Sequence, residues 1–143
     1  MKKLKNSANI KFDSLSVNES FARVAVSSFL APLNPTIDEL SDIKTAVSEA
    51  VTNAIVHGYG DEKGVIEMKL SYVNETVRIE IIDDGKGIPD IDKAMQPFFT
   101  TCCDGTRSGM GFTVMENFMD TVSVASAPDE GTRVIMKKKL AVK

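Results

Sequence analysis

Separated cysteines are missing from this chain: it has only two, Cys102 and Cys103, and they are adjacent. Neighbouring residues cannot close an ordinary structural disulfide, which rules out a disulfide scaffold, and a reducing compartment would leave both as inert thiols. No nearby residue is an obvious base to activate them. A basic excess is missing as well. Seventeen Lys and Arg stand against twenty Asp and Glu, for a net charge of −3, so the chain offers no broad attraction to a polyphosphate backbone and direct nucleic-acid binding is not expected. No apolar run approaches the roughly 18 residues of a membrane span. The start, Met1-Lys2-Lys3-Leu4-Lys5-Asn6, lacks the apolar centre of a signal peptide. These absences lead to the expectation of a cytoplasmic protein with no membrane partner. There is no repeat, low-complexity tract or linker, and 143 residues suit one domain, 1–143, built on a single core.

What is present is a sequence of clear periods. A short mixed segment, 7–15, reads as an edge strand. Ser16-Val17-Asn18-Glu19 has the spacing of a capping box, and a helix is predicted over 19–31 with Phe21, Val24, Ala25, Ser28 and Phe29 inward and Pro32 stopping it. Thr36-Ile37-Asp38-Glu39 repeats the capping signal. It opens the longest predicted helix, 37–57, in which Leu40, Ile43, Val47, Ala50, Val51 and Ala54 recur at helical spacing and Gly58 and Gly60 mark the end. The period then changes to strict alternation. Ile66, Met68, Leu70 and Tyr72, then Val77, Ile79 and Ile81, describe an antiparallel hairpin with one dry face, turned at Val73-Asn74-Glu75. The stretch 88–108 has two prolines and no period, and reads as a cover over a site. A glycine-entered helix, 109–119, leads to a last hairpin, Thr121 to Ser126 and Thr132 to Lys139. Helices on one face of a mixed, mostly antiparallel sheet make an α/β two-layer sandwich.

Three groups of residues carry chemistry. Glu49 and Asn53 lie one turn apart at the margin of the long helix's apolar arc, where a core-packed helix meets a pocket. A carboxylate there can address a hydroxyl or water while the amide oxygen beside it ligates Mg²⁺, a hard cation that prefers oxygen; a solvated surface pair is the plain alternative. Asp83 ends a strand and begins Asp83-Asp84-Gly85-Lys86-Gly87. A carboxylate at a strand end can accept from an amino group such as that of adenine, and Gly85 and Gly87 let a flat ring approach the backbone; an acidic hairpin turn is the alternative. Asp84 is set aside because side chains alternate along the strand. Gly109-Met110-Gly111 opens a helix whose free N–H groups favour phosphate, with Arg107 and Ser108 just before it to complete the anion site; close helix packing is the alternative. His57 reads as a helix-end histidine near terminal carbonyls, and Met110, Met115 and Met119 as core filling.

In this order the motifs resemble the GHKL ATPase superfamily, which includes gyrase, heat-shock chaperones, histidine kinases and mismatch-repair ATPases. Glu49 to Asn53 is similar to its N box, Asp83 to Gly87 to its adenine box, the Gly109 and Gly111 pair to its phosphate-lid hinge, and Gly131-Thr132 to its final box, in which Thr132 supports the adenine end. Without a transducer domain, and without dimerisation helices bearing a phospho-accepting His, the chain resembles the small stand-alone serine kinases that act as anti-sigma factors. Asn18 to Arg23, Pro35 to Leu40, Glu49 to Tyr59, Gln96 to Thr101 and Arg107 to Asp120 resemble the anti-sigma F family of endospore formers. That resemblance implies the Bergerat fold, ATP with Mg²⁺, and Thr100, Thr101 and Met110 among the ATP-binding residues. It also implies a homodimer that binds sigma F through residues such as Arg23 and phosphorylates a serine of an anti-anti-sigma protein. Cys102 departs from it, standing where a lysine is expected. A general-stress anti-sigma kinase, or a non-catalytic ATP-dependent binding module, are the competing readings; the intact Glu49 argues against the latter, since binding alone needs no base.

Overall fold

The computed structural model describes residues 4–60, 62–85, 111–126 and 130–141. Five strands form one sheet in the order β1-β2-β3-β5-β4, every neighbouring pair antiparallel. They are β1 (Lys5–Asp13), β2 (Val65–Val73), β3 (Thr76–Asp83), β4 (Thr121–Ser126) and β5 (Thr132–Lys139). The helices are α1 (Asn18–Leu30), continued by a 3₁₀ turn (Ala31–Leu33), α2 (Ile37–Asn53), continued by a π-helical segment (Ala54–Tyr59), and α3 (Gly111–Phe118). The two-layer sandwich expected from the sequence is therefore present, with an antiparallel sheet among the described residues. The segment 88–108 lies outside them.

The alternating pattern decides which face of the sheet is dry. Ile66, Met68, Leu70 and Tyr72 of β2, Val77, Ile79 and Ile81 of β3, and Val134 and Met136 of β5 are buried against Ile43, Val47, Ala50 and Val51 of α2, Ala22, Val26 and Leu30 of α1, and Phe112 and Met115 of α3. Each fully buried side chain of this size contributes about 1.5–3 kcal/mol by leaving water, and the shared core fixes the strand register, because a slip of one residue would turn the whole set outward. Met115 and Met119 are core filling, as expected.

The inward set expected for the first helix is corrected in part: Ala25 and Phe29 are half-buried against the core, but the other three are not. Phe21 is 47% and Val24 67% exposed, and Ser28 is exposed too, while Ala22, Val26 and Leu30 are buried. These three repeat every four residues and give α1 a narrow face that sits close on α2; Phe21 turns instead to the sheet edge, where its ring meets Phe12 edge-on at 5.9 Å. The first capping signal is also unused. Val17 occupies the N-cap without a side-chain bond, and the Glu19 carboxylate reaches across to accept from Ser48 Oγ and, at 2.9 Å, from Thr52 Oγ1 on α2.

The second capping signal is realised in full. Glu39 N–H donates to Thr36 Oγ1 (3.0 Å) and Thr36 N–H to Glu39 Oε1 (2.8 Å), satisfying two orphan donors at the start of α2. The other oxygen of Glu39 accepts from Ala141 N–H at 2.7 Å, 102 positions along the chain. Nearby, Lys138 Nζ, 3.9 Å from Asp42 Oδ2, donates to Phe118 O at 2.8 Å, closing the C-terminus of α3. On the sheet's outer face Glu80 is only 3% exposed. It is held by Arg78 Nη1 at 2.6 Å and Arg133 Nε at 3.2 Å, which keep a charge tolerable in that central strand.

Candidate functional site

The site forms where the end of α2, the exit of β3 and the entry of β5 converge. Asp83 is the last residue of β3, level with Ile66 of β2 and Thr132 of β5. It is 6% exposed, whereas Asp84 is exposed, so the alternation places the inner carboxylate where the sequence indicated. Asp83 Oδ1 accepts from Gly85 N–H at 2.9 Å. Burial raises its pKa from the ordinary 3.8 to about 6, with the neighbouring Asp84 charge adding to the rise and the Gly85 and Thr132 N–H groups opposing it.

Glycines let backbone segments pack closely around Asp83, one of them against its carboxylate. A Cβ at Gly58 would lie 2.8 Å from Asp83 Oδ1, and one at Gly85 would lie 2.2 Å from the Gly58 carbonyl oxygen. Gly131 has φ +78°, and its Cβ would meet Asp83 O at 2.1 Å, so both its backbone conformation and its space require glycine. Thr132, the first residue of β5, shares a hydrogen bond with Ser126 Oγ at 2.8 Å, and Ser126 Oγ donates to Gly131 O at 2.8 Å. The final turn is thereby tied beside Asp83.

Gly58 and Gly60 are expected to mark the helix end; Gly60 caps it, but the helix runs through Gly58. After Asn53 the winding loosens to π-helical and continues to Tyr59, where Gly60 N–H donates to Ile55 O at 3.0 Å. π-Turns are uncommon and concentrate at functional sites; here the turn carries Gly58 to the Asp83 carboxylate. Sequence reasoning missed Gly58 and Tyr59 as parts of the site, although the run Gly58-Tyr59-Gly60, small residues around one aromatic, was a visible sign of close packing. His57 lies half-buried in the π-helical segment, near the helix end as expected.

Asn53, the last α-helical residue, and Glu49, one turn before it, are both half-buried. Glu49 lines a groove of about 570 Å³ together with Arg23, Leu40, Lys44 and Ser48, so the candidate base and the candidate partner-binding arginine share one depression between α1 and α2. Among the described residues no three His, Cys, Asp or Glu gather as a metal site. Gly87, Thr100, Thr101, Arg107, Ser108, Gly109 and Met110 lie outside the described residues, and Gly111 is the first residue of α3.

The family model for the histidine kinase-like ATPase domain matches residues 14–138. An anti-sigma F factor of Clostridium botulinum (strain Eklund 17B / Type B) is 58% identical over 138 residues, 96% of each chain. The chain belongs to the anti-sigma F factor family. Another relative of that name, from Thermoanaerobacter sp. (strain X514), is 56% identical over 93% of each chain. Among solved structures, the RsbU and RsbW domains of Rv1364c from Mycobacterium tuberculosis superpose with a TM-score of 0.69 at 21% identity, covering 94% of this chain and 32% of that one. At that identity the likeness speaks for the fold. An anti-sigma factor with an ATP-binding, kinase-like domain accounts for the convergence of motifs around Asp83.

Proposed function

We propose that the chain, as one domain, is an ATP-dependent protein-serine kinase that sequesters sigma F and phosphorylates a serine of an anti-anti-sigma protein. The observation that carries this reading is the buried Asp83 residue, its carboxylate against Gly58 and the Gly85 N–H and its main chain against Gly131, with Gly58 on the continuation of the helix that bears Glu49 and Asn53. Those residues fit ATP. A buried acceptor suits the adenine amino group, and the amide oxygen of Asn53 suits Mg²⁺, which when bound would neutralise charge on the transferring phosphoryl group.

Each remaining residue has a task in that scheme. Asp83 accepts from the adenine amino group, with Gly85, Gly87 and Thr132 around the base. Glu49 orients the incoming serine hydroxyl and takes its proton. The N–H groups from Gly109 to Gly111, with Arg107, Ser108, Thr100 and Thr101, stabilise phosphoryl charge. Arg23 contributes to the sigma contact, where a guanidinium suits an acidic surface. A cytoplasmic homodimer is part of the proposal, and the exposed Val17 at the N-cap of α1 with Phe21 and Val24 on it supports an association surface there. The deciding experiment incubates the protein with γ-labelled ATP, Mg²⁺ and a candidate anti-anti-sigma protein. Label on a serine of that protein is expected; ATP binding without any transfer would reduce the chain to a nucleotide-dependent binding module.

A further inference from the structure

One hydroxyl joins three segments at the rim of the site. Tyr59, the last residue of the π-helical segment, donates through Oη to Val65 O (2.6 Å), the first residue of β2, and accepts from Asp84 N–H (2.8 Å). Its ring sits against Gly64, where a Cβ would come within 2.2 Å of Cε1, so that glycine is what admits the ring. Burial first, then the charges of Asp83 and Asp84, raise the Tyr59 pKa; the phenol therefore keeps the proton it donates at neutral pH.

The Asp84 N–H belongs to the peptide plane whose oxygen is Asp83 O. That oxygen is the atom a Cβ at Gly131 would strike. The plane is thus gripped on both sides, by a hydrogen bond at nitrogen and by close backbone packing at oxygen, and its orientation sets the direction in which the Asp83 side chain leaves the strand. We propose that Tyr59 is a positioning residue for base recognition: its hydroxyl locks the Asp83–Asp84 peptide and so aims the Asp83 carboxylate. This rests on the reading of Asp83 as the acceptor for the adenine amino group. Asp84 is exposed, so once the hydroxyl is removed water can satisfy its N–H, and the loss falls on aim rather than on folding.

The test measures Kd for Mg²⁺-ATP and Mg²⁺-GTP by calorimetry on the full chain, the parent beside Tyr59→Phe, with thermal melts as a control. Expected are a Tm close to the parent's, a rise in the ATP Kd of about two- to ten-fold, as for one hydrogen bond, and a smaller ATP-to-GTP preference. Gly64→Ala, which evicts the ring while leaving the hydroxyl in the chain, should give the same narrowed preference. A Tyr59→Phe variant with the parent's ATP Kd and preference overturns the positioning role while leaving Asp83 as the reader. An equal loss for both nucleotides also overturns it, since a purely structural residue gives no base selectivity. A parent that does not prefer ATP removes the role of Asp83 itself, and this inference with it.

Discussion

Replacing Asp83 with asparagine should make the protein more stable and worse at binding ATP. In the folded chain burial lifts the carboxyl from 3.8 to about 6, a difference of about two pK units, so at pH 7.5 the ionised group costs the native state about 3 kcal/mol at most. Asparagine has no charge to bury and its carbonyl still accepts from Gly85 N–H, but it introduces an amide donor in a site that is 6% exposed, returning about 1 kcal/mol. A net gain of about 1–2 kcal/mol remains. For a domain of this size that is a rise in Tm of about 3–8 °C. The sign with pH follows from the raised folded-state value. Between the unfolded 3.8 and the folded value of about 6 the native state holds the extra proton, so the parent recovers stability as pH falls through that window and the variant does not. Melts without nucleotide at pH 7.5 and 4.5, followed by circular dichroism, should show the gap between the two proteins shrinking with acid. ATP affinity of the parent should fall over the same window, as the acceptor becomes protonated. A variant no more stable than the parent at pH 7.5, or a gap that ignores pH, would refute the claim that this site holds a destabilised charge.

Three further outcomes are expected. Glu49→Gln should bind ATP as the parent does while phosphorylating its partner about 10²–10⁴ times more slowly; phosphorylation at the parent rate would show that Glu49 is not the base. Asn53→Ala should lose the Mg²⁺-dependent part of nucleotide affinity, because the amide oxygen is the proposed ligand, and unchanged Mg²⁺ dependence in calorimetry would remove that role. Gly58→Ala sets two effects against each other. Helix propensity favours alanine by about 1 kcal/mol, but the new Cβ would fall 2.8 Å from Asp83 Oδ1, so the variant should fold and bind ATP at least several-fold more weakly; parent-like affinity would mean that the carboxylate can move aside at no cost.

Much of this was legible because short-range patterns and tertiary structure agree. The alternation in β2 and β3, the Thr36–Glu39 capping box and the last hairpin appear where local chemistry placed them. The disagreements have a common cause: a distant partner competes for a locally suitable group. Glu19 has capping spacing but is claimed by Ser48 and Thr52. Phe21 and Val24 are apolar enough for a core, yet α1 lies so close on α2 that the small Ala22 takes the inner face. Gly58 looks like a terminator because its real neighbour, Asp83, is 25 positions away in the chain. Around the proposed site, alternation was enough to tell that Asp83 is buried and Asp84 exposed. The groove that unites Glu49 with Arg23 depends on how two helices cross, which neither helix's own sequence states.

The two oxygens of Glu39 bear on how the chain comes together. One completes a cap that any isolated helix start could form, and the other waits for Ala141, just beyond the last strand. A bond spanning 102 of the 143 positions has a high loop-closure cost and forms late, so the first turn of α2 should mature in two stages, first as a local nucleus and then as a fastened end. In amide hydrogen exchange the Ala141 N–H should therefore open before the Thr36 N–H, although both donate to one carboxylate. Releasing the segment after the last strand would then unfasten, without uncapping, the start of the helix whose other end carries the site.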